Sequence, residues 1–257
     1  MKHVLTIAGS DPSGGAGVQA DLTTLKDFGV PALFAITAIT AQNDDKVLQI
    51  HPTPADVLTQ QLSAACAGKE IGAVKIGMVA SQSNVRALVW FLNFKKFPQV
   101  VIDPILHSSS GTPLLEKKAT DFFRQQLLPL ATVITPNLPE AETFVGGRIY
   151  NDEAQSNAAR QIYQEIHAMR EGKFPDRPLA IIIKGGHHEN EAVDLLYDGH
   201  QTHFFRAAKI PGRSPRGTGC RFSSAIAAGL SQGQPLKEAV QGAKDYLIKY
   251  ISFNYHL

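Results

Sequence analysis

Four residues near the carboxyl end, Gly217, Thr218, Gly219 and Cys220, stand directly ahead of a helical pattern carried by Phe222, Ala225, Ile226 and Gly229. Glycines in that position let successive backbone N–H groups converge on an anion, and the helix dipole adds to their pull. A phosphoryl group in flight would be stabilised there. The same setting is expected to lower the pKa of the Cys220 thiol, so that it can take a proton from an alcohol. The plainer reading of Cys220 is a small buried hydrophobe beside a tight turn.

Other polar groups follow apolar runs. Asp103 comes after Val100-Val101-Ile102 and before Pro104, where it either starts a turn or presents a carboxylate at a strand end. Asn137 and Glu140, within Thr135-Pro-Asn-Leu-Pro-Glu140, have the spacing of a helix capping box. Asp103 and Glu140 from neighbouring strand ends would also suit magnesium, which takes few protein oxygens alongside water and substrate phosphates. Lys184, ahead of Gly185-Gly186-His187-His188, could approach phosphates; adjacent histidines point opposite ways on an extended chain and read as loop residues, not metal ligands. Gly15-x-Gly17-x-x-Ala20 matches a dinucleotide fingerprint, with Asp44 at the ribose distance. The seven residues between Ile7 and Gly15 exceed the tight turn that fingerprint requires, so an oxidoreductase is a weak competitor.

These groups need a scaffold that gathers strand ends. Apolar, β-branched runs occur at His3 to Ala8, Ala32 to Thr40, Ala73 to Met78, Gln99 to Ile102, Thr132 to Thr135 and Leu179 to Lys184. Helical patterns lie between most of them: one after the glycine-rich turn Gly9 to Gly17, then Pro54 to Ala67, Gln82 to Lys95, Lys117 to Leu127 and Asp152 to Arg170. Strands apolar on both faces, alternating with helices, predict a three-layer αβα sandwich with a mainly parallel central sheet. Val193 to Tyr197 and Thr202 to Ala208, around Asp198-Gly199, predict a hairpin at a sheet edge. Ligands of such sheets bind beyond the carboxyl ends of the strands.

With 257 residues, 44% of them hydrophobic, and no linker, the chain reads as one domain over 1–257. A formal charge of +2 with no basic run argues against nucleic acid as a partner. Two cysteines, Cys66 and Cys220, fit a reducing cytoplasm better than a disulfide framework. The apolar start before Gly9 is short for a secretory signal, and the stretch Ala32 to Ala41 falls below the ~20 residues of a membrane span.

Taken in order, the motifs resemble those of the hydroxymethylpyrimidine/phosphomethylpyrimidine kinases of thiamine biosynthesis, a ribokinase-like family. They are Thr6-Ile-Ala-Gly-Ser-Asp11, Gly14-Gly-Ala-Gly17, Gln19-Ala-Asp21, Thr37-Ala-Ile-Thr-Ala-Gln42, Val74-Lys-Ile-Gly-Met78, Asp103-Pro104, Thr135 to Glu142, Lys184-Gly-Gly-His187, Val193 to Asp198 and Gly217-Thr-Gly-Cys220. The resemblance covers roughly Val4 to Tyr250. It implies ATP-dependent phosphorylation of hydroxymethylpyrimidine and its monophosphate. By the same resemblance Gly9, Asp21, Gln42 and Met78 line the pyrimidine pocket, Cys220 is the base, and Gly217 to Cys220 form the anion hole. Asp103 and Glu140 surround Mg2+, Asn137 and Lys184 face the nucleotide, and a homodimer is suggested.

Four departures stand out. Pro215-Arg216 replaces the usual Thr-His, Arg221 replaces the usual Thr, the loop Ile105 to Gly111 lacks a customary lysine, and Pro12-Ser13 stands for Ser-Gly. Two cations beside the anion hole would grip phosphate or hold back a dianion. Alternatives are therefore a pyridoxal-type kinase on the same scaffold, or a catalytically silent ligand-binding homologue.

Overall fold

Along β1 (His3–Ser10) side chains alternate between two apolar environments, with Leu5 and Ile7 in one cluster and Val4 in the other. The alternation recurs in β4 (Ile71–Ile76), where Val74 and Ile76 oppose Ala73, and in β5 (Val100–Ile102), where Val101 faces away from its neighbours. In β7 (Ala180–Ile183) Ile182 likewise opposes Ile181 and Ile183. Both faces of such strands must be covered, and that requirement turns near-continuous Val/Ile runs into the expected three-layer sandwich.

The computed structural model describes residues 1–108, 110–170, 172–173, 177–185, 191–210 and 215–254. The remaining strands are β2 (Ala32–Gln42), β3 (Val47–Pro52), β6 (Val133–Ile134), β8 (Glu191–Tyr197) and β9 (Thr202–Ala208). Among the described residues all nine join one sheet in the order β3-β2-β1-β4-β5-β6-β7-β8-β9. From β2 to β7 the pairing is parallel. The β8–β9 hairpin forms one antiparallel edge, as its turn predicts, and β3 forms the other. No apolar run announces β3, because it is mostly solvent-facing and its pairing with β2 (Thr40 opposite Ile50) makes it a strand.

One face is covered by α2 (Ala55–Cys66) and α3 (Gln82–Phe94) through Leu58, Leu62 and Leu88. The helical pattern at 117–127 is realised as a 3-10 turn (Lys117–Ala119), the single turn α4 (Thr120–Phe122), a wider π segment (Phe123–Leu127) and a second 3-10 turn (Leu128–Leu130). Pro129 has no N–H with which to extend an α-helical ladder. The same face continues with α5 (Leu138–Val145) and α6 (Asp152–Arg170). On the opposite face lie α1 (Gly17–Asp27), α7 (Thr218–Ser231) and α8 (Leu236–Asn254), contributing Leu25, Phe222, Ile226 and Val240. No helix among the described residues is long and apolar enough to cross a membrane. After β3 the chain crosses to the other side of β1, so the strand order reverses there and opens a crevice at the carboxyl ends.

Candidate active site

That crevice is a cleft of about 840 Å³, within the range of small-ligand sites. Gly9, Gln42 and Met78 line it from the ends of β1, β2 and β4. Gly9 and Met78 are in intimate contact, since a Cβ on Gly9 would lie 2.8 Å from the Met78 sulfur. The turn after β1 is organised by buried Asp11, whose carboxylate accepts from the Ser13 N–H (2.9 Å), the Ser13 hydroxyl (2.7 Å) and the Ala16 N–H (2.8 Å). Pro12-Ser13 is thereby accommodated, with the serine hydroxyl serving the turn.

Opposite this turn, Gly217 caps α7 in the left-handed region (φ 73°), and a Cβ there would lie 2.1 Å from the Gly15 carbonyl oxygen. Only glycine meets both conditions. The N–H groups of Thr218, Gly219 and Cys220 follow as the first of the helix, where no intrahelical acceptor exists. All three residues line the cleft. Gly219 brings the turn to Lys184, whose Nζ would be 3.2 Å from a Cβ at that glycine.

Cys220 is buried, and its thiol departs from expectation in one respect. Burial pushes its pKa up, against the opposing pull of Lys75 and of the Gly17 amide. Loss of water around the thiolate outweighs the helix terminus, so the predicted lowering is corrected to a rise.

At the other end of the cleft, Asp103 accepts from Lys184 Nζ (2.5 Å) and from the Ser223 hydroxyl (3.2 Å). Burial works against the Lys184 charge, but Asp103 and Glu140 more than offset it and the lysine pKa is raised. The predicted capping box is present: Glu140 N–H donates to Asn137 Oδ1 and Asn137 N–H to Glu140 Oε2, each at 2.8 Å. Burial, opposed by Lys184 and reinforced by Asp103, pushes Glu140 up to about 7. Asp103, Asn137, Glu140 and Lys184 all line the cleft.

The model for the phosphomethylpyrimidine kinase family matches residues 11–257. The chain belongs to the phosphomethylpyrimidine kinase family. It is 40% identical over 248 residues to the hydroxymethylpyrimidine/phosphomethylpyrimidine kinase of Aquifex aeolicus, covering 96% of this chain and 93% of that one. The solved phosphomethylpyrimidine kinase of Clostridium difficile superposes with a TM-score of 0.83 at 35% identity, covering 98% of this chain and 100% of that one. The pyridoxal kinase of Staphylococcus aureus, solved with AMP-PCP and pyridoxal, gives 0.82 at 32% identity over 98% and 88%. The sandwich is thus the ribokinase-like one and the chain is a phosphotransferase of this family. The dinucleotide reading of Gly15 and Gly17 falls away; Asp44 is exposed and pairs with Arg216 at 3.6 Å.

Within this phosphomethylpyrimidine kinase family member, two expected placements are corrected. Asp21 is not among the residues that line the cleft. It is fully buried, holds Lys75 at 2.8 Å, and accepts from the Thr6 and Ser224 hydroxyls at 2.5 and 2.8 Å, so it ties α1, β1, β4 and α7 together. Arg221 does not flank the anion hole either: its guanidinium lies 4.1 Å over the Tyr250 ring, on the α8 side. His187 and His188 lie outside the described residues, as do Gly186, Ser109 and Tyr255. Sequence reasoning assigned no role to Ser223 or to Asp194, whose carboxylate accepts from the Gly185 N–H and from Lys244, each at 2.8 Å. Nor did it mark α8, which packs on the core through Val240 and Ala243 and also lines the cleft with Leu247, Ile248 and Ile251. Both signals were hidden because the partners come from elements distant in the sequence.

Proposed function

We propose that this chain moves the terminal phosphoryl group of ATP to the hydroxymethyl oxygen of hydroxymethylpyrimidine, and then to the resulting monophosphate, with magnesium. The observation that carries the reading is the span of the α7 turn: Gly217 packs on the turn after β1, and two residues later Gly219 approaches Lys184 beside Asp103. Acceptor and donor ends of one cleft are thereby joined by a row of backbone N–H groups.

In this reading the N–H groups of 217–220 meet the charge on the transferring phosphoryl group, which is the main demand of phosphoryl transfer. Cys220 takes the hydroxyl proton, and its buried position keeps water from competing. Gln42 offers the ring both a donor and an acceptor. Lys184 and Asn137 face the nucleotide phosphates, and Leu247, Ile248 and Ile251 form an apolar wall suited to a purine base. Asp103 after β5 and Glu140 in the first turn of α5 supply hard oxygens, and the raised Glu140 pKa, caused first by burial and then by Asp103, marks a carboxylate whose charge a cation would offset. Magnesium, when bound, neutralises phosphate charge. Two free cysteines fit a cytoplasmic setting. Exposed Phe34, Ile39 and Leu48 on β2 and β3 support a homodimer, which light scattering tests.

Purified protein given ATP, Mg2+ and hydroxymethylpyrimidine is expected to release ADP and form first the mono- and then the diphosphate. A mixture that stays inert rejects the proposal. The likeness to a pyridoxal kinase keeps pyridoxal as the second candidate acceptor, and parallel kcat/KM values for the two rings decide between them.

A further inference from the structure

Arg216 is a cation without a stated task. It precedes Gly217 and lines the cleft at the turn after β1, where its Cβ is 3.4 Å from the place a Gly15 Cβ would take. Its Nη1 donates to the Asn43 carbonyl (2.6 Å) and the Ser13 hydroxyl (3.0 Å). Asn43 follows Gln42 directly, so the guanidinium sits at the acceptor end, while Lys184 is engaged by Asp103 at the donor end. Among the described residues its hydrogen bonds all leave from Nη1. Asp11 and Asp44 stand off at 3.5 and 3.6 Å; Asp11 is already committed to Ser13 and Ala16, and Asp44 is a solvent-facing partner of small worth.

We infer that Arg216 holds the phosphate of a phosphorylated acceptor and sets specificity for the second transfer; the inference rests on the proposed function. In the first transfer the acceptor is a neutral alcohol, which has no use for a cation at that end. In the second it carries phosphate. Nη2 and Nε then provide the planar fork that grips phosphate oxygens, with Nη2 giving up its loose 3.5 Å pair with Asp11. The bond chemistry separates the two steps. In the first, the hydroxyl oxygen bonds to the γ-phosphorus, its proton passes to Cys220, and the bond to the β–γ bridging oxygen breaks, with ADP leaving on that electron pair. In the second, the attacking atom is an oxygen of the acceptor's own phosphate, already largely deprotonated at neutral pH with a second pKa of about 6. Cys220 has little proton to remove there, and the burden shifts to Arg216.

The test compares kcat/KM for the pyrimidine alcohol and for its monophosphate in wild type, Arg216→Gln and Arg216→Lys. Arg216→Gln is expected to lower the monophosphate-to-alcohol ratio at least about tenfold, through KM, with Arg216→Lys recovering part of it. In the wild type, KM for the monophosphate should rise with salt while KM for the alcohol stays flat, a readout that requires no folded variant. A ratio unchanged in Arg216→Gln, an equal fall with both acceptors, or salt-independent monophosphate binding overturns the inference. A wild type active on the alcohol but not the monophosphate overturns this inference and the second transfer while leaving the first transfer standing; one inert toward both overturns it together with the whole proposed function.

Discussion

Lys75 Nζ lies 2.8 Å from both carboxylate oxygens of Asp21, and neither side chain reaches solvent. Burial works against the lysine charge, but Asp21, with Cys220 and Asp103 further off, raises its pKa overall. Breaking one side of such a pair strands a charge in a dry interior. Lys75→Met is therefore expected to cost about 3–5 kcal/mol of stability, and adding Asp21→Leu should recover part of that loss. Urea denaturation of the single and double variants measures both, and a single variant within about 1 kcal/mol of wild type would show the pair to be idle.

The raised Cys220 pKa has a kinetic counterpart. Only the thiolate accepts a proton, so kcat/KM for the alcohol should climb roughly tenfold per pH unit through the neutral range. Cys220→Ala should lose about 10²-fold and flatten the profile. A wild-type profile already level at neutral pH would remove the thiol from the role of base.

Glu140 links stability to pH in the opposite sense from an ordinary paired carboxylate. Its pKa rises from 4.5 to about 7 on folding, so the protonated form favours the native state, and that stability is full below pH 4.5 and lost as pH climbs through 7. Gln at this position keeps an oxygen for the Asn137 N–H without the charge. Glu140→Gln should thus gain on wild type across this window, by of order 3 kcal/mol above pH 7, while losing activity with Mg2+. Melting curves at pH 5 and pH 8 read the difference, and a gap that does not widen between them contradicts the assignment.

Arg221 offers a contrast with Arg216. Its guanidinium stacks on Tyr250, and its Nε and Nη1 have no hydrogen-bond partner among the described residues. Arg221→Thr should shift KM for either acceptor by less than about threefold. A selective loss of monophosphate binding would instead place this side chain at the phosphate.

Much of this architecture was legible because β-branched runs alternate with amphipathic segments, and parallel sheets demand that pattern. Asp103, Asn137, Glu140 and Lys184 were readable for a related reason: each follows a strand, and strand ends converge. Cys220 was half readable. Its place at a helix start is local, but its pKa is decided by how much protein closes over it, which spacing does not encode. Asp21 was placed by resemblance and Arg221 by following Cys220 in the chain, and neither ground says which layer of the sandwich receives the side chain. β3 depends on pairing with β2 and carries little apolar signal of its own.

The clasp between Gly217 and the Gly15 carbonyl joins two turns separated in the chain by strands β2 to β9. During synthesis the turn after β1 is made long before its partner, and the two can meet only once α7 has left the ribosome. A chain stopped before residue 217 would carry strands β1 to β9 with one wall of the cleft missing.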